Sequence, residues 1–423
     1  MASHDTHTDS TRSSYTQQLT DDLLAWWITH GPDREHGGVL TCWDNLGESL
    51  VSQDKYTWSQ GRWIWLAGEV VRAVDAGWLD ADREAWLETA HATATFVRDH
   101  AFLADGSTAF LLDRAGTPKE PTPGGGLHTS IFADLFVALG FAGHARVTGD
   151  PAWGEQAERI LVSAEQRFVA GGVRSDPYPV PDGYGSFAFP MIMIGVGTEV
   201  HRATGSPQSA DIVRRAMDDL AGRYIAGDDA QEMPVISAAG TQESLLARHR
   251  TPGHTLECLW FLVEAGEVVG DHELTDPHRL AGIAKRSLRI GWDAEYGGML
   301  RYVDRDGGEP TGSVSWPDPY VQLVGETWST KLWWIHSEAT YAVELLAALT
   351  GDAELIEWRD RVRDWTLRTF PQGPGQEWVQ NRDRSGAPIT RTVALPVKDP
   401  MHVARAWLKL ADLEHQGRIA RQT

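Results

Sequence analysis

The chain has 423 residues, and its 59 acidic against 38 basic side chains give a formal net charge of −21. That charge repels nucleic acid and anionic membrane and leaves no basic patch for either to use. Two cysteines, Cys42 and Cys258, are too few for a disulfide framework and fit reduced thiols in the cytoplasm, while 19 tryptophans suit a large core with an indole-lined cavity.

Residues 1–14 are polar and lack an apolar run, so they read as a disordered tail rather than a signal peptide. The remainder, 15–423, contains no internal linker and is expected to be one domain. Its longest apolar runs are cut by charges such as Glu264 and Glu344, short of the ~18 unbroken residues of a membrane span.

From there the chain repeats one plan: an amphipathic segment, a glycine-bearing patch of short alternating strands, then a segment apolar on nearly all sides. The patches begin at Glu35, Phe102, Phe168, Ala226, Asp293 and Glu377, separated by about 67, 66, 58, 67 and 84 residues. A period of that size marks structural duplication, and each unit has room for two helices and a hairpin or loop. The apolar helices should begin near Tyr56, His128, Ser186, Pro252, Lys331 and Pro400 and form an inner ring. Amphipathic segments such as Arg83 to His100, Trp153 to Arg167 and Leu355 to Arg368 form the outer one. Six such pairs predict an all-α (α/α)6 barrel with short β-hairpins in the inter-helix loops and a pocket at the loop end.

The openings of the inner helices carry the chemistry. DKYTWSQGRWIWL, from Asp54, brings Tyr56, Trp58 and Arg62, the last set among tryptophans, where a guanidinium is either paired structurally or faces a pocket as an oxyanion donor. TPGHTLECLWFL, from Thr251, puts His254 and Glu257 three residues apart on one helical face. KLWWIHSEA, from Lys331, supplies Lys331, Trp334, His336 and Glu338, and LPVKDPMHVARAW, from Leu395, places His402 one turn into the last helix. Any one of these residues alone reads as a satisfied structural group; their concentration at the same end of several inner helices points to a site.

Three chemistries remain open on this evidence. Glu257 and Glu338 are the residue types of a glycosidase pair. Two histidines at one end of a pocket fit the removal and return of a proton on carbon, because imidazole titrates near neutrality. His254, His402 and Glu257 are also metal-ligand types, but neither HExxH nor a cysteine cluster is present, so no metal and no cofactor is expected. A carbohydrate-binding protein on the same barrel is the non-catalytic alternative.

The stretches KYTWSQGRWIWL, SFAFPMIMI, PGHTLECLWFL, DAEYGGMLRYVD, KLWWIHSEA and DPMHVARAW resemble, in the same order, the N-acyl-D-glucosamine 2-epimerase family, across roughly residues 18 to 415. The resemblance implies an (α/α)6 barrel. It also implies that His254 and His402 are general acid and base, that Arg62 holds an enediolate oxygen, and that Glu257 and Glu338 position the histidines or the sugar. Tyr56, Trp58, Lys331, Trp334 and His336 are then candidate substrate contacts. Relatives acting on cellobiose or on mannose and fructose usually carry a histidine at the start of the third inner helix. This chain has Ser186, Phe187 and Phe189 there and looks more like the N-acylglucosamine branch, with the ring-opening group unassigned. The expected activity is 2-epimerisation of N-acylglucosamine and N-acylmannosamine or a related reducing sugar. The same residues also serve an aldose-ketose isomerase of the mannose/fructose type. The expected partner is a small reducing sugar, with no nucleic acid or membrane, in a cytoplasmic protein for which a homodimer is one arrangement left open.

Overall fold

Three inner helices stop at one kind of signal, and that signal decides where the site forms. The sequences Thr148-Gly149-Asp150-Pro151, Thr204-Gly205-Ser206-Pro207 and Thr350-Gly351-Asp352-Ala353 each join an inner helix to its outer partner. The glycines take the left-handed conformation, with φ of 70°, 65° and 66°, which closes the first helix without a Cβ penalty. Asp150, Ser206 and Asp352 then cap the next helix through side-chain oxygens that accept from backbone N–H groups. Turns this tight leave no room for a pocket at that end. All the long connections gather at the other.

The computed structural model describes residues 15–270, 272–314, 318–390 and 395–420, so the expected 1–14 tail lies outside it. The inner helices are Thr57–Asp75, Ile131–Thr148, Ala188–Thr204, Pro252–Val269, Trp333–Thr350 and Met401–His415. Each packs on the next and the sixth packs on the first, which closes the ring of an (α/α)6 barrel. The first five are followed by outer helices Arg83–His100, Pro151–Ala170, Pro207–Asp219, Pro277–Gly291 and Ala353–Thr369. The sixth is backed by the N-terminal helix, built of the segments Tyr15–Gln18, Leu19–Leu24 and Ala25–His30. Tyr15 meets the Trp407 ring edge-on, and the Trp407 indole N–H donates to Gln18 at 2.8 Å. Inner starts and outer spans thus fall within about a turn of those read from the sequence.

The second inner helix, Ile131–Thr148, is by length and composition long and apolar enough to cross a membrane, with a mean hydropathy of 1.3. Here it is enclosed by its neighbours and 78% buried. An inner helix of a barrel has no polar face because protein surrounds it.

The glycine patches are only partly local hairpins. Leu111–Leu112 pairs with Pro118–Lys119, and Ile225–Ala226 with Asp229–Ala230, as expected. The other ladders cross between units: Lys55–Tyr56 pairs with Leu111–Leu112, His249–Arg250 with Val303–Asp304, and Lys331–Leu332 with Asn381–Arg382. The residues entering an inner helix are therefore stitched to the following loop.

One of these stitches occurs twice. In GPDREHGGVL, from Gly31, the carboxylate of Asp33 accepts from Lys55 at 3.0 Å and from Arg114 at 2.9 and 3.0 Å, while Val39 N–H donates to Gln60 at 2.8 Å. In GWDAEYGGML, from Gly291, Asp293 holds Arg384 at 2.9 and 3.2 Å and lies 3.3 Å from Lys331, while Met299 N–H donates to His336 Nε2 at 2.8 Å. Lys331 and His336 are thus the counterparts of Lys55 and Gln60, fixing a loop to the start of a helix.

The first and second inner helices cross with backbones almost touching. A Cβ on Gly61 would fall 2.1 Å from the Phe136 carbonyl oxygen, and one on Gly140 would fall 2.5 Å from that of Gly61. Gly61→Ala is expected to destabilise the fold by about 1–3 kcal/mol, as overpacking does, and to displace the neighbouring Arg62. Urea unfolding with unchanged slope and a lowered midpoint is the measurement; an unchanged midpoint would contradict this crossing.

Candidate active site

A cavity of about 230 Å³ opens at the loop end of the barrel, lined by residues from all six inner helices. One wall is apolar, made of Phe132, Phe136, Met191 and Ile192 from the second and third inner helices. The opposite side carries His254, Glu257, Trp334, Asp399 and His402, from the fourth to sixth inner helices and the loop before the last. Apolar walls with a few convergent polar groups are the ordinary build of a small-molecule site.

His254 and His402 flank one indole. Their rings lie 5.5 and 5.4 Å from the Trp334 ring, centre to centre. Gly253 makes that approach possible, since a Cβ there would come within 2.8 Å of Trp334 and Ile335. The Pro-Gly-His start of the fourth inner helix is therefore a packing requirement as well as a helix start.

The two imidazoles live in opposite electrostatic surroundings. His254 Nδ1 faces both oxygens of Glu232, at 3.0 and 3.1 Å, so Nδ1 carries the hydrogen and Nε2 is left for the cavity. Burial pulls its pKa down, but the Glu232 charge and hydrogen bond outweigh this and the net shift is upward. Glu232 in turn is held below the usual carboxylate range: burial pushes it up, and the His254 charge and hydrogen bond more than reverse that. Its partner on the sequence, Glu257, is directed elsewhere.

His402 Nδ1 donates to Glu338 at 2.9 Å and lies 3.6 Å from Glu257. Both carboxylates bind the same nitrogen of Arg405, Glu338 at 2.5 Å and Glu257 in a shorter contact, and that nitrogen stands 3.3 Å from His402 Nδ1. Burial drives the His402 pKa down to about 3, with Arg62 and Arg405 adding to the fall and Glu257 opposing it. His402 is therefore a neutral base at pH 7, with Nε2 unprotonated toward the cavity.

Glu257, Glu338 and His402 are close enough to form a cation site, their ligand atoms lying within 4.8 Å of one another. The Arg405 guanidinium already sits among them. A metal would have to displace a hydrogen-bonded cation that neutralises both carboxylates, so the donor set fits arginine better than a metal ion.

Arg62 lies over Phe136 at 4.0 Å and faces Asp399 at 3.6 Å, too far for a hydrogen bond. Arg62 Nε and Asp399 Oδ2 are buried without a hydrogen-bond partner. A polar pair left open in this way at a cavity wall is placed to meet ligand oxygens.

Of the residues singled out from sequence, His254, His402, Arg62, Glu257, Trp58 and Trp334 line the cavity. Glu338 is buried behind His402, bonded also to the Trp260 indole N–H at 2.8 Å, and acts on the imidazole instead of on a ligand. Tyr56, Lys331 and His336 are corrections: all three are buried outside the cavity. Tyr56 packs edge-on against Phe110. The Lys331 ammonium binds the Gly297 carbonyl, and His336 spends Nδ1 on the Leu332 carbonyl at 2.7 Å. At the third inner helix Ser186 lines the cavity, whereas Phe187 and Phe189 belong to the core. Sequence reasoning passed over Glu232, Arg405, Asp399 and Arg301. Arg405 was legible as the residue one turn after His402; Glu232 sits in a loop with no local pattern to mark it.

The fold and the site together define a barrel enzyme with two imidazoles of oppositely shifted pKa at a small cavity of apolar walls and a few polar groups. Residues 210–406 match the family model for N-acylglucosamine 2-epimerase. The bovine N-acylglucosamine 2-epimerase is 28% identical, with 91% of this chain and 87% of the relative covered. Among solved structures, a sugar epimerase from a ruminal bacterium superposes with a TM-score of 0.74 at 17% identity, covering 94% of this chain and 97% of that one. The cellobiose 2-epimerase from Bacillus thermoamylovorans gives 0.73 at 16%, covering 94% and 98%. The chain is thus similar to N-acylglucosamine 2-epimerases along most of its length, and to that family's model over the segment that carries His254 and His402.

The Glu232 contact predicts a specific titration. Glu232→Gln removes the charge that raises the His254 pKa and leaves the burial that lowers it, so the imidazole should titrate below its ordinary value instead of above. NMR titration of the His254 ring reads this directly. A pKa that stays raised would mean another group supplies the charge.

Proposed function

We propose that this protein is a sugar 2-epimerase that interconverts N-acylglucosamine and N-acylmannosamine, or a close pair of reducing sugars, by proton transfer at C2. The observation that carries this reading is the pair of cavity-facing imidazoles on either side of Trp334, His402 held neutral and His254 drawn toward its charged form. Groups whose surroundings push their pKa values apart divide into acid and base.

In the open-chain aldehyde, the carbonyl acidifies the C2 hydrogen. His402 Nε2 takes that proton, the C2–H electrons move into the C1–C2 bond, and the carbonyl oxygen becomes the enediolate oxygen. Arg62 and the His254 imidazolium supply positive charge near it, in a site where low dielectric strengthens such contacts. His254 Nε2 then returns a proton to the other face of C2, and the carbonyl re-forms with inverted configuration. Asp399 Oδ2 and Ser186 are placed to accept from and bond to sugar hydroxyls, and the apolar wall of Phe132 and Met191 suits an acyl methyl. The glycosidase reading loses its support, because Glu257 and Glu338 meet on one guanidinium and only Glu257 reaches the cavity.

The division of labour sets a pH profile. In the direction that uses His402 as base, kcat/KM should hold from mildly acid to neutral pH, since His402 is protonated only near pH 3. It should fall as the pH rises through the raised pKa of His254, where the imidazolium is lost. His254→Ala and His402→Ala are each expected to lower net epimerisation by about 10²- to 10⁴-fold with the fold retained. Each should keep solvent exchange of the C2 hydrogen of the one epimer its remaining histidine serves, read by NMR in deuterated water. Exchange of the same epimer by both variants would refute the two-base arrangement.

The reading includes metal independence, supported by Arg405 occupying the one candidate ligand cluster among the described residues. Dialysis against EDTA should leave the rate unchanged. Activity restored only by an added divalent ion would overturn it. A cytoplasmic location is part of the same proposal, supported by two buried, unpaired thiols, Cys42 and Cys258.

A further inference from the structure

Beside His254 the cavity wall contains a cation that the mechanism above does not use. Arg301 is 4% exposed and lines the cavity together with Tyr178, Tyr302 and Tyr320. Its guanidinium donates to Thr327 Oγ1 at 3.2 Å and to the Tyr178 hydroxyl at 3.3 Å, both long and both neutral, and lies 4.9 Å from the Tyr302 ring centre. Among the described residues no carboxylate comes within ion-pair distance of it. Arg62 has Asp399, Arg405 has Glu257 and Glu338, and Arg250 has Asp229; Arg301 stands apart from them. Two of the phenols around it stay protonated, since burial pushes the Tyr302 and Tyr320 hydroxyls up.

A buried guanidinium whose direct partners are all neutral is costly unless something else meets its charge. Fork-shaped donors facing a cavity are complementary to two oxygens of one anionic group. We propose that Arg301 is a specificity-determining residue that seats an oxyanion substituent, so that the site takes a reducing sugar bearing a carboxylate, phosphate or sulfonate. The proposal rests on the sugar 2-epimerase reading for the reaction but on Arg301 alone for the preference. The net charge of −21 slows the approach of any anion at low salt; the local cation decides what stays.

The test pairs sugars that differ only in the anion: N-acetylglucosamine against its 6-phosphate, and glucose against glucose 6-phosphate and glucuronate. C2 exchange in deuterated water gives kcat and KM for wild type, Arg301→Met, Arg301→Lys and Tyr178→Phe, and calorimetry gives binding without turnover. Wild type should favour an anionic member of a pair. Arg301→Met should raise its KM by about 30-fold or more, the usual effect of truncating one partner of a buried charge pair, and leave the neutral sugar within a few-fold. Arg301→Lys keeps the charge and should keep most of the preference, which covers the case in which the methionine variant does not fold. Equal losses for neutral and anionic sugars, or no preference in wild type, would overturn the anion seat while leaving the epimerase reading intact. Binding of an anionic sugar that Arg301→Met abolishes, with no C2 exchange of any sugar by wild type, would uphold the seat and overturn the reaction.

Discussion

The Arg405 guanidinium is the fixed point of the catalytic end. It reaches from the sixth inner helix to Glu257 on the fourth and Glu338 on the fifth, and stacks over Trp260 at 4.8 Å. Three helices are thereby tied together directly beneath His402. Two buried carboxylates on adjacent helices repel each other unless a cation lies between them, and removing one partner of such a cluster leaves an uncompensated buried charge. Burial is the main reason that His402 is neutral, and the Arg62 and Arg405 charges add to it by disfavouring a further cation beside them.

The rest of the site is organised as a contrast with that floor. On the far side of Trp334, His254 has an unshared carboxylate, Glu232, and is drawn toward the charged form. One imidazole thus shares its carboxylates with an arginine while the other faces Glu232 directly, and both pack on a single indole. The barrel supports this by placing its tight glycine turns at one end and its long loops at the other. Glu232 and Arg301 both come from those loops and both line the cavity.

Charged residues at helix starts proved to be of two kinds that look alike in sequence. Lys331 and His336 sit in the same nine-residue stretch as Trp334 and Glu338, yet they hold the 291–300 loop, just as their counterparts Lys55 and Gln60 hold the equivalent 31–40 loop. The duplication of Asp33 in Asp293 and of Arg114 in Arg384 reveals them as structural fasteners. Recognising that from sequence needs the partners of each residue, and those partners lie tens of residues away.

What the sequence determined by itself was periodic or local. The spacing of the glycine patches and the all-round apolar character of six segments predicted the barrel and its inner ring, because a helix enclosed by protein must be apolar on every side. His254, His402 and Arg62 were legible as ionisable groups embedded in such helices, where only a pocket or a partner makes them tolerable. Tertiary structure alone decided which partner each one received. Adjacent positions on one helix suggested Glu257 for His254, but the barrel brings Glu232 from a loop to His254 and turns Glu257 to Arg405. The protonation of the two histidines follows from those pairings. A pKa is set by charges a few ångströms away in space, and distance in space is what a linear sequence does not contain.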